Sequence, residues 1–532
     1  MANSKHHAWL IALVVLLVLM SGCTLIAPQE QVVKATATPL EEPGGQEEQP
    51  PPTPTATETL IPTPSAAPPT ATEPPPMPTR TPEPTPAPDF GEGPWLIFLT
   101  GAGADPIRLW ALSADGELNT LSLLDYVGPM DLAKAVSPDG ARVAFITQDE
   151  SLPFWGNLTL TILNLATGEQ EAVIPLTSAE TEPGPDTDFG DELWQPLRAV
   201  AEVDSLAWSP DGTRLAFIGV QAGPSSDLFL YDTADRSVTR LTDGPTEGLR
   251  PTWSPDGRYI LHLGVFGLGT GAGLAVDRVW AADTQTGRVL DLYEASQTGD
   301  ETWIGWADDR TFVAASWDAF CGARQVRTES IVGQPGQPIW PSYFSDAALS
   351  PQAGVVAVVI DQYIAECDPD LQPGIYLSTL GRGPAVQVSD APAYQVDWEP
   401  AARVFIARVG DGGVLTITPD GTVNVVEGPP FAQIALSPDG ELLAWAVGTG
   451  IGDVAVSGLW VGPLDGRPRQ VGDAPLALPM WSPDGRMLAA IGTEGVYLAP
   501  GPDYYPELVV GLADVGLSPS TAAWVARDRS RR

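Results

Sequence analysis

Histidine is nearly absent. The 532-residue chain has three, and two of them, His6 and His7, fall in the leader. That leaves His262 as the only imidazole of the rest, which excludes multi-histidine zinc sites and most nucleophile–histidine triads. His262 itself sits in the strand-like run Tyr259-Ile260-Leu261-His262-Leu263 and reads as a structural residue. Basic residues are scarce too: Lys and Arg total 27 against 67 Asp and Glu, a formal net charge of −40. No basic stripe exists to neutralise phosphates, so nucleic acid is a poor partner. Cations and basic partners suit such a surface. No Gly-x-Ser-x-Gly turn occurs, and the glycine-rich stretch 264–273 lacks the Gly-Lys-Ser/Thr ending of a phosphate loop. Long apolar runs are missing as well. The main one, 8–20, has 13 residues and is too short to span a bilayer comfortably.

That run has the length of a signal-peptide core and follows Lys5. It ends in Leu19-Met20-Ser21-Gly22-Cys23, which resembles the bacterial lipobox, with Met20 in place of the usual Leu. Residues 1–23 are therefore expected to be a lipoprotein signal peptide. Cys23 would be the lipidated first mature residue and would anchor the protein outside the cytoplasm, at the bacterial cell surface or in the periplasm. Ordinary cleavage or an uncleaved anchor is the alternative. Residues 24–92 are rich in Pro, Thr and Glu and poor in large apolar side chains. Such a segment buries too little surface to offset ordering entropy, so a disordered linker is expected, extended by its prolines.

What the chain has in abundance is one repeated phrase. Ala207-Trp208-Ser209-Pro210-Asp211-Gly212 returns as Thr252-Trp253-Ser254-Pro255-Asp256-Gly257, as Ala435-Leu436-Ser437-Pro438-Asp439-Gly440 and as Met480-Trp481-Ser482-Pro483-Asp484-Gly485. An earlier copy is Ala135-Val136-Ser137-Pro138-Asp139-Gly140. Worn copies occur at Trp306-Ala307-Asp308-Asp309, Leu349-Ser350-Pro351, Trp398-Glu399-Pro400 and Leu517-Ser518-Pro519. Most steps between the Ser positions lie near the 40–45 residues of a propeller blade. Pro, Asp and Gly each supply one corner of a tight turn, and a strand-like run follows. The phrase is thus a hairpin between two strands, and its residues are scaffold. Two further strands follow each copy, giving four short antiparallel strands per repeat, A to D.

Trp-Ser-Pro-Asp-Gly, then Leu228-Phe229-Leu230-Tyr231-Asp232, then Leu241-Thr242-Asp243-Gly244, resembles the TolB-type β-propeller repeat. The same repeat occurs in propellers of the prolyl oligopeptidase family. The resemblance covers about 94–528 and implies an all-β fold: one propeller over 93–532. It does not imply a function. Relative to the prolyl oligopeptidase family, no hydrolase domain is expected after the propeller. Eight blades are expected, with seven or nine open, because worn units can merge. The strand run 95–124 lacks its own strand A, which 514–518 would supply to close the ring.

In such a meander the A–B and C–D turns share one face, and the B–C and D–A connections share the other. Short turns are nearly all A–B or C–D. Long inserts are B–C (265–277, 316–325, 361–374, 448–457) or D–A (177–203). The loop-rich face is therefore the expected binding face. With Cys23 lipidated, Cys321 and Cys367 remain, both in B–C inserts, and an oxidising compartment favours a disulfide between them. Candidate binding residues are Trp194, Trp317, Asp318, Phe320, Tyr363, Glu366, Asp368 and Asp370, aromatics and carboxylates suited to a sugar or a basic peptide. Asp186, Asp188, Asp191 and Glu192 offer oxygen ligands for Ca²⁺, without the full twelve-residue loop pattern, so a solvated acidic loop competes with that reading. Two functions follow. The first is a non-catalytic, lipid-anchored scaffold binding a protein or cell-wall partner. The second is a propeller-fold enzyme of glycoside hydrolase or lyase type, using carboxylates near the central channel.

Overall fold

The computed structural model describes residues 93–526 apart from 102–106, 125–131, 149–156, 179–180, 182–193, 202–203, 268–273, 296–300, 319–322, 333–335, 368–369, 431, 448–456 and 516–520. The expected leader, Cys23 and the linker lie outside the described residues. No helix among the described residues is long and apolar enough to cross a membrane.

The repeated phrase folds as a hairpin, and its serine is the centre of it. Ser209 is fully buried. Its hydroxyl donates to Asp211 Oδ1 at 2.6 Å and accepts from the Arg214 amide at 2.9 Å. Asp211 Oδ1 in turn accepts from the Thr213 amide at 3.1 Å. Gly212 takes φ +73°, a conformation that favours glycine, and its amide donates to the Ser209 carbonyl. Ser254, Ser437 and Ser482 repeat this arrangement, and Ser137 does so in the earliest copy. The worn copies show what each residue supplies. Ser350 has Gln352 where the Asp would stand, and its hydroxyl is buried without a partner. The copy at Trp306 has no serine; there Asp308 Oδ1 accepts from the Arg310 and Thr311 amides, and the Ala307 and Asp308 amides donate to the Thr311 carbonyl.

The hairpins build nine blades, not the eight expected. Eight are four-stranded antiparallel sheets and one has three strands. Blade 1 contains Trp95–Thr100, Ile107–Ser113 and Leu118–Leu124, and its inner strand is Thr521–Val525 from the other end of the chain. Blade 2 spans 142–175. Blades 3 to 9 span 206–240, 247–294, 301–344, 346–389, 393–426, 433–472 and 476–511. The extra blade arises because no worn unit merges with its neighbour: 306, 350 and 398 each open a complete sheet. The closing strand is also not the one expected. Leu512–Val515 is a helix, and the ring closes through Thr521–Val525, with Leu99 opposite Thr521 and Trp95 opposite Val525.

Blade 2 departs from the pattern. Its Ser137 turn is intact, but its inner strand shrinks to one bridge, Val136 to Val143. A short helix, α1 (Leu132–Ala135), takes that place, lying against the inner strands of blades 1 and 3.

Strand A is innermost in the four-stranded blades, and strands A touch between blades 3 and 4, 5 and 6, 6 and 7, 8 and 9, and 9 and 1. The apolar slot before each serine works at this seam. Trp208 Nε1 donates to the Ala135 carbonyl at 2.8 Å, and Trp253 Nε1 to Ala207 at 2.9 Å. Trp481 Nε1 donates to Ala435 and Trp524 Nε1 to Met480, each at 2.9 Å. Every acceptor is the residue just before the apolar slot of the preceding blade. The indole thus staples blade to blade as well as filling the gap between them. Trp306 and Trp398, in worn copies, bury the same nitrogen without a partner. Between blades the core is apolar: Phe217, Leu228, Trp253 and Ile260 belong to one cluster joining blades 3 and 4.

Candidate functional site on the loop-rich face

The inserts divide between the faces as strand parity requires, but not all are loops. In blade 4 the B–C insert lengthens its hairpin: Tyr259–Gly267 pairs with Leu274–Asp283 almost to the tip. In blade 5, Thr311–Asp318 and Ala323–Ser330 do the same. In blade 6 the insert folds as helix α3 (Gln362–Cys367), which buries Ile364 beside Val358, Ile360 and Leu371. The D–A insert after blade 2 carries helix α2 (Trp194–Ala201). Leu197 and Val200 of α2 pack into the cluster of blade 3, and Ala199 packs beside Leu249, Leu263 and Val265 of blade 4. The helical inserts α2 and α3 are therefore anchored by apolar contacts.

Of the residues singled out from the sequence, Tyr363 on α3 is 60% exposed, and Asp370 in the turn after it is also exposed. Trp317 and Asp318 end strand B of blade 5, Trp194 opens α2, and Glu366 and Cys367 end α3; the side chains of these five are not described. Phe320, Asp368, Asp186, Asp188, Asp191 and Glu192 lie outside the described residues, as does Cys321, and with it the expected disulfide to Cys367. Among the described residues no group of three or more His, Cys, Asp or Glu is placed to hold a metal.

The residues that converge were not singled out. Glu301 opens strand A of blade 5 (Glu301–Trp306) at the loop-rich end and is 1% exposed. Arg327, on strand C (Ala323–Ser330), donates to Glu301 Oε1 at 2.5 Å. The Tyr293 hydroxyl, from strand D of blade 4 (Arg288–Glu294), donates to the same oxygen at 2.8 Å. Arg327 also donates to Glu329 at 2.7 Å and to Ser316 Oγ at 2.8 Å, and its guanidinium lies 4.9 Å from the centre of the Tyr293 ring. The second oxygen of Glu301 is buried without a partner. Burial pushes the Glu301 carboxyl up to about 7 against the opposing pull of Arg327 and Tyr293. Burial likewise drives the Tyr293 phenol far above its ordinary range and raises Glu329. The cluster can therefore hold a proton near neutral pH beside a fixed cation, the property of a general acid or base.

A second carboxylate pair lies on strand A of blade 7 (Ala393–Glu399). Asp397 and Glu399 are two residues apart and so share one side of the innermost strand. Surrounding protein raises both carboxyls, and the Asp397 charge raises Glu399 further. The sequence signal for Glu301 and Glu399 was only their place at the start and end of an inner strand, which does not distinguish them from the other acids of the chain.

No family model matches the chain. Over 54 residues it is 44% identical to the uncharacterized peptidase YuxL of Bacillus subtilis (strain 168), a match covering 10% of this chain and 8% of that protein. The chain thus spans less than a tenth of that relative's length. Among solved structures, a eukaryotic initiation factor superposes with a TM-score of 0.50 at 12% identity, over 82% of this chain and 99% of that one. TolB from Acinetobacter baumannii covers 63% of this chain and 81% of its own, at 14% identity and a TM-score of 0.28. At 12% identity the likeness to the initiation factor is one of fold alone, and the β-propeller itself is read from the nine blades.

Proposed function

We propose that the protein is a lipid-anchored, extracytoplasmic β-propeller that binds a protein or cell-envelope partner through its loop-rich face without catalysing a reaction. The observation that carries this is the asymmetry of the ring. Short turns hold one face, while α2, α3 and two lengthened hairpins stand on the other. A rigid scaffold presenting ordered inserts on one side is built for recognition. Lipidation at Cys23 and the long linker would let that face reach away from the membrane. Two measurements test the reading. Mass spectrometry of the mature N-terminus should find an acylated Cys23. Cross-linking from intact membranes should capture one dominant partner with the wild type and much less with Tyr363→Ala. An unmodified Cys23 removes the anchor; capture unchanged in the variant removes the face.

One observation favours a second reading, an enzyme of glycoside hydrolase or lyase type: the buried carboxyl of Glu301, with one oxygen unpartnered beside Arg327. Screening on polysaccharides should then reveal turnover that Glu301→Gln abolishes. A screen without turnover leaves the scaffold reading in place.

A further inference from the structure

Between blades 3 and 4 lies a cleft of about 210 Å³ that opens at the loop-rich face. It exists because of a change along one side of blade 4. On the side facing blade 5, strand B (Tyr259–Gly267) carries Leu261, Leu263 and Val265, all buried apolar residues. On the side facing blade 3 the same strand carries Ile260, then His262, then Gly264. Gly264 pairs across the sheet with Gly248 of strand A. Side-chain volume therefore falls away toward the loop-rich end, and the two glycines leave the gap.

The cleft walls are polar at chosen points. His262 is 3% exposed, lines the cleft, and its Nδ1 is buried without a partner. Trp280 stands opposite His262 on strand C (Leu274–Asp283) and lines the cleft too. A Cβ added at Gly264 would lie 2.7 Å from Trp280 Nε1 and 2.9 Å from Thr246 Oγ1, so an indole N–H and a hydroxyl converge on that point. The facing wall, 241–244, is held by Asp227. That carboxylate accepts from Arg240 at 2.6 Å, and from Thr242 Oγ1 and the Gly244 amide at 2.9 Å each. Arg240 is spent on Asp227 and on Asp243, 2.7 Å away.

We infer that this cleft is a binding site for a neutral, hydroxyl-rich ring the size of one pyranose, held by Thr246, His262 and Trp280. The volume is below the roughly 300–1,000 Å³ of drug-sized pockets, which limits the ligand to about one ring. Anions meet Asp227 and Asp243, and the cation at hand is already paired. Burial lowers the His262 imidazole to about 4, so at neutral pH it is an uncharged hydrogen-bonding group that suits a hydroxyl. A buried imidazole nitrogen otherwise left unpaired is expensive, and a ligand hydroxyl relieves that cost. The site goes beyond the scaffold reading and does not depend on it: a null titration would leave membrane cross-linking unchanged.

The test is titration of the full chain with methyl glucoside and with methyl N-acetylglucosaminide, followed by tryptophan fluorescence and calorimetry. N-acetylmuramic acid and trimethylamine serve as the anionic and cationic comparisons. A neutral glycoside is expected to bind saturably. Thr246→Val, which keeps the shape and removes the hydroxyl, should weaken binding at least tenfold, about 1.4 kcal/mol. Gly264→Ala should abolish it while circular dichroism and the melting temperature show the ring intact. Should the alanine variant fail to fold, Thr246→Val decides alone. The inference is overturned by no saturable binding up to about 20 mM, well above the millimolar range that some −4 kcal/mol represents. Equal affinity in Thr246→Val, or tighter binding of either charged probe, overturns it as well.

Discussion

A hydroxyl buried at the base of a turn is worth little unless something meets it, and this chain contains both cases. Ser209 bonds to Asp211 and to the Arg214 amide, whereas Ser350 has the same burial and no partner. Ser209→Ala should cost about 1–3 kcal/mol in chemical denaturation, because a buried amide and a carboxylate lose their partner. Ser350→Ala should be close to neutral. The contrast was half legible: the sequence displayed the missing Asp at 352 but not that the serine stays buried without it. Titration adds a second residue-scale expectation. His262 is lowered from 6.5 to about 4, so between those values the unfolded chain holds more protons and stability falls as pH falls. Glu301 is raised from 4.5 to about 7, so there the folded chain holds more protons and stability falls as pH rises. Each contributes on the order of 3 kcal/mol across its window. Relative to the wild type, His262→Gln should lose stability more steeply as pH rises from 4.5 to 6.5, and Glu301→Gln should gain it, both read from urea midpoints against pH.

At the scale of elements, the unit of cohesion is the seam between neighbouring inner strands. The Trp253 indole donates across that seam to Ala207, while the Trp398 indole nitrogen is buried unpaired. Trp253→Phe should therefore destabilise by more than Trp398→Phe, by about 1–2 kcal/mol in thermal or urea unfolding. The apolar slot was visible in the repeat, and its role in filling the gap between sheets follows from composition. The hydrogen bond was not, because its acceptor sits some 44 to 46 residues earlier in most copies, 73 earlier for Trp208, and belongs to another sheet. Elements also diverged where spacing alone was the guide. Residues 514–518 looked like the closing strand because of Ser518. The intact staple from Trp524 to Met480 instead marks Thr521–Val525, 43 residues after its equivalent strand when counted from Trp481 to Trp524. Inserts that read as loops in blades 4 and 5 extend their strands, since ladder hydrogen bonds continue as long as both partners remain extended.

For the molecule as a whole, charge is the dominant long-range term. A formal charge of −40 repels itself in the compact state, and salt screens that repulsion. Raising NaCl from about 0.05 to 0.5 M should increase the melting temperature by a few degrees, within the Debye regime where exposed charges stop interacting. A melting temperature that falls over the same range would mean that ion pairs such as Arg142 to Glu171 and Arg240 to Asp227 outweigh the net repulsion. Closure belongs to this scale as well. Pairing Thr521–Val525 with Trp95–Leu99 joins the two ends of the stretch 95–525 and covers the inner edge of Trp95–Thr100, so that Thr521–Val525 becomes the innermost strand of blade 1.

The sequence by itself determined the hairpin, the four-strand repeat, the all-β class and which face carries the inserts. Each of these rests on residues within one turn of one another or on the strict alternation of strand direction. Tertiary structure alone decided the ninth blade, the replacement of blade 2's inner strand by α1, the Glu301–Arg327–Tyr293 cluster and the cleft at His262. Those depend on which residues of different blades come into contact once the ring closes. A repeat that is nearly the same in every copy carries no information about such differences between neighbours.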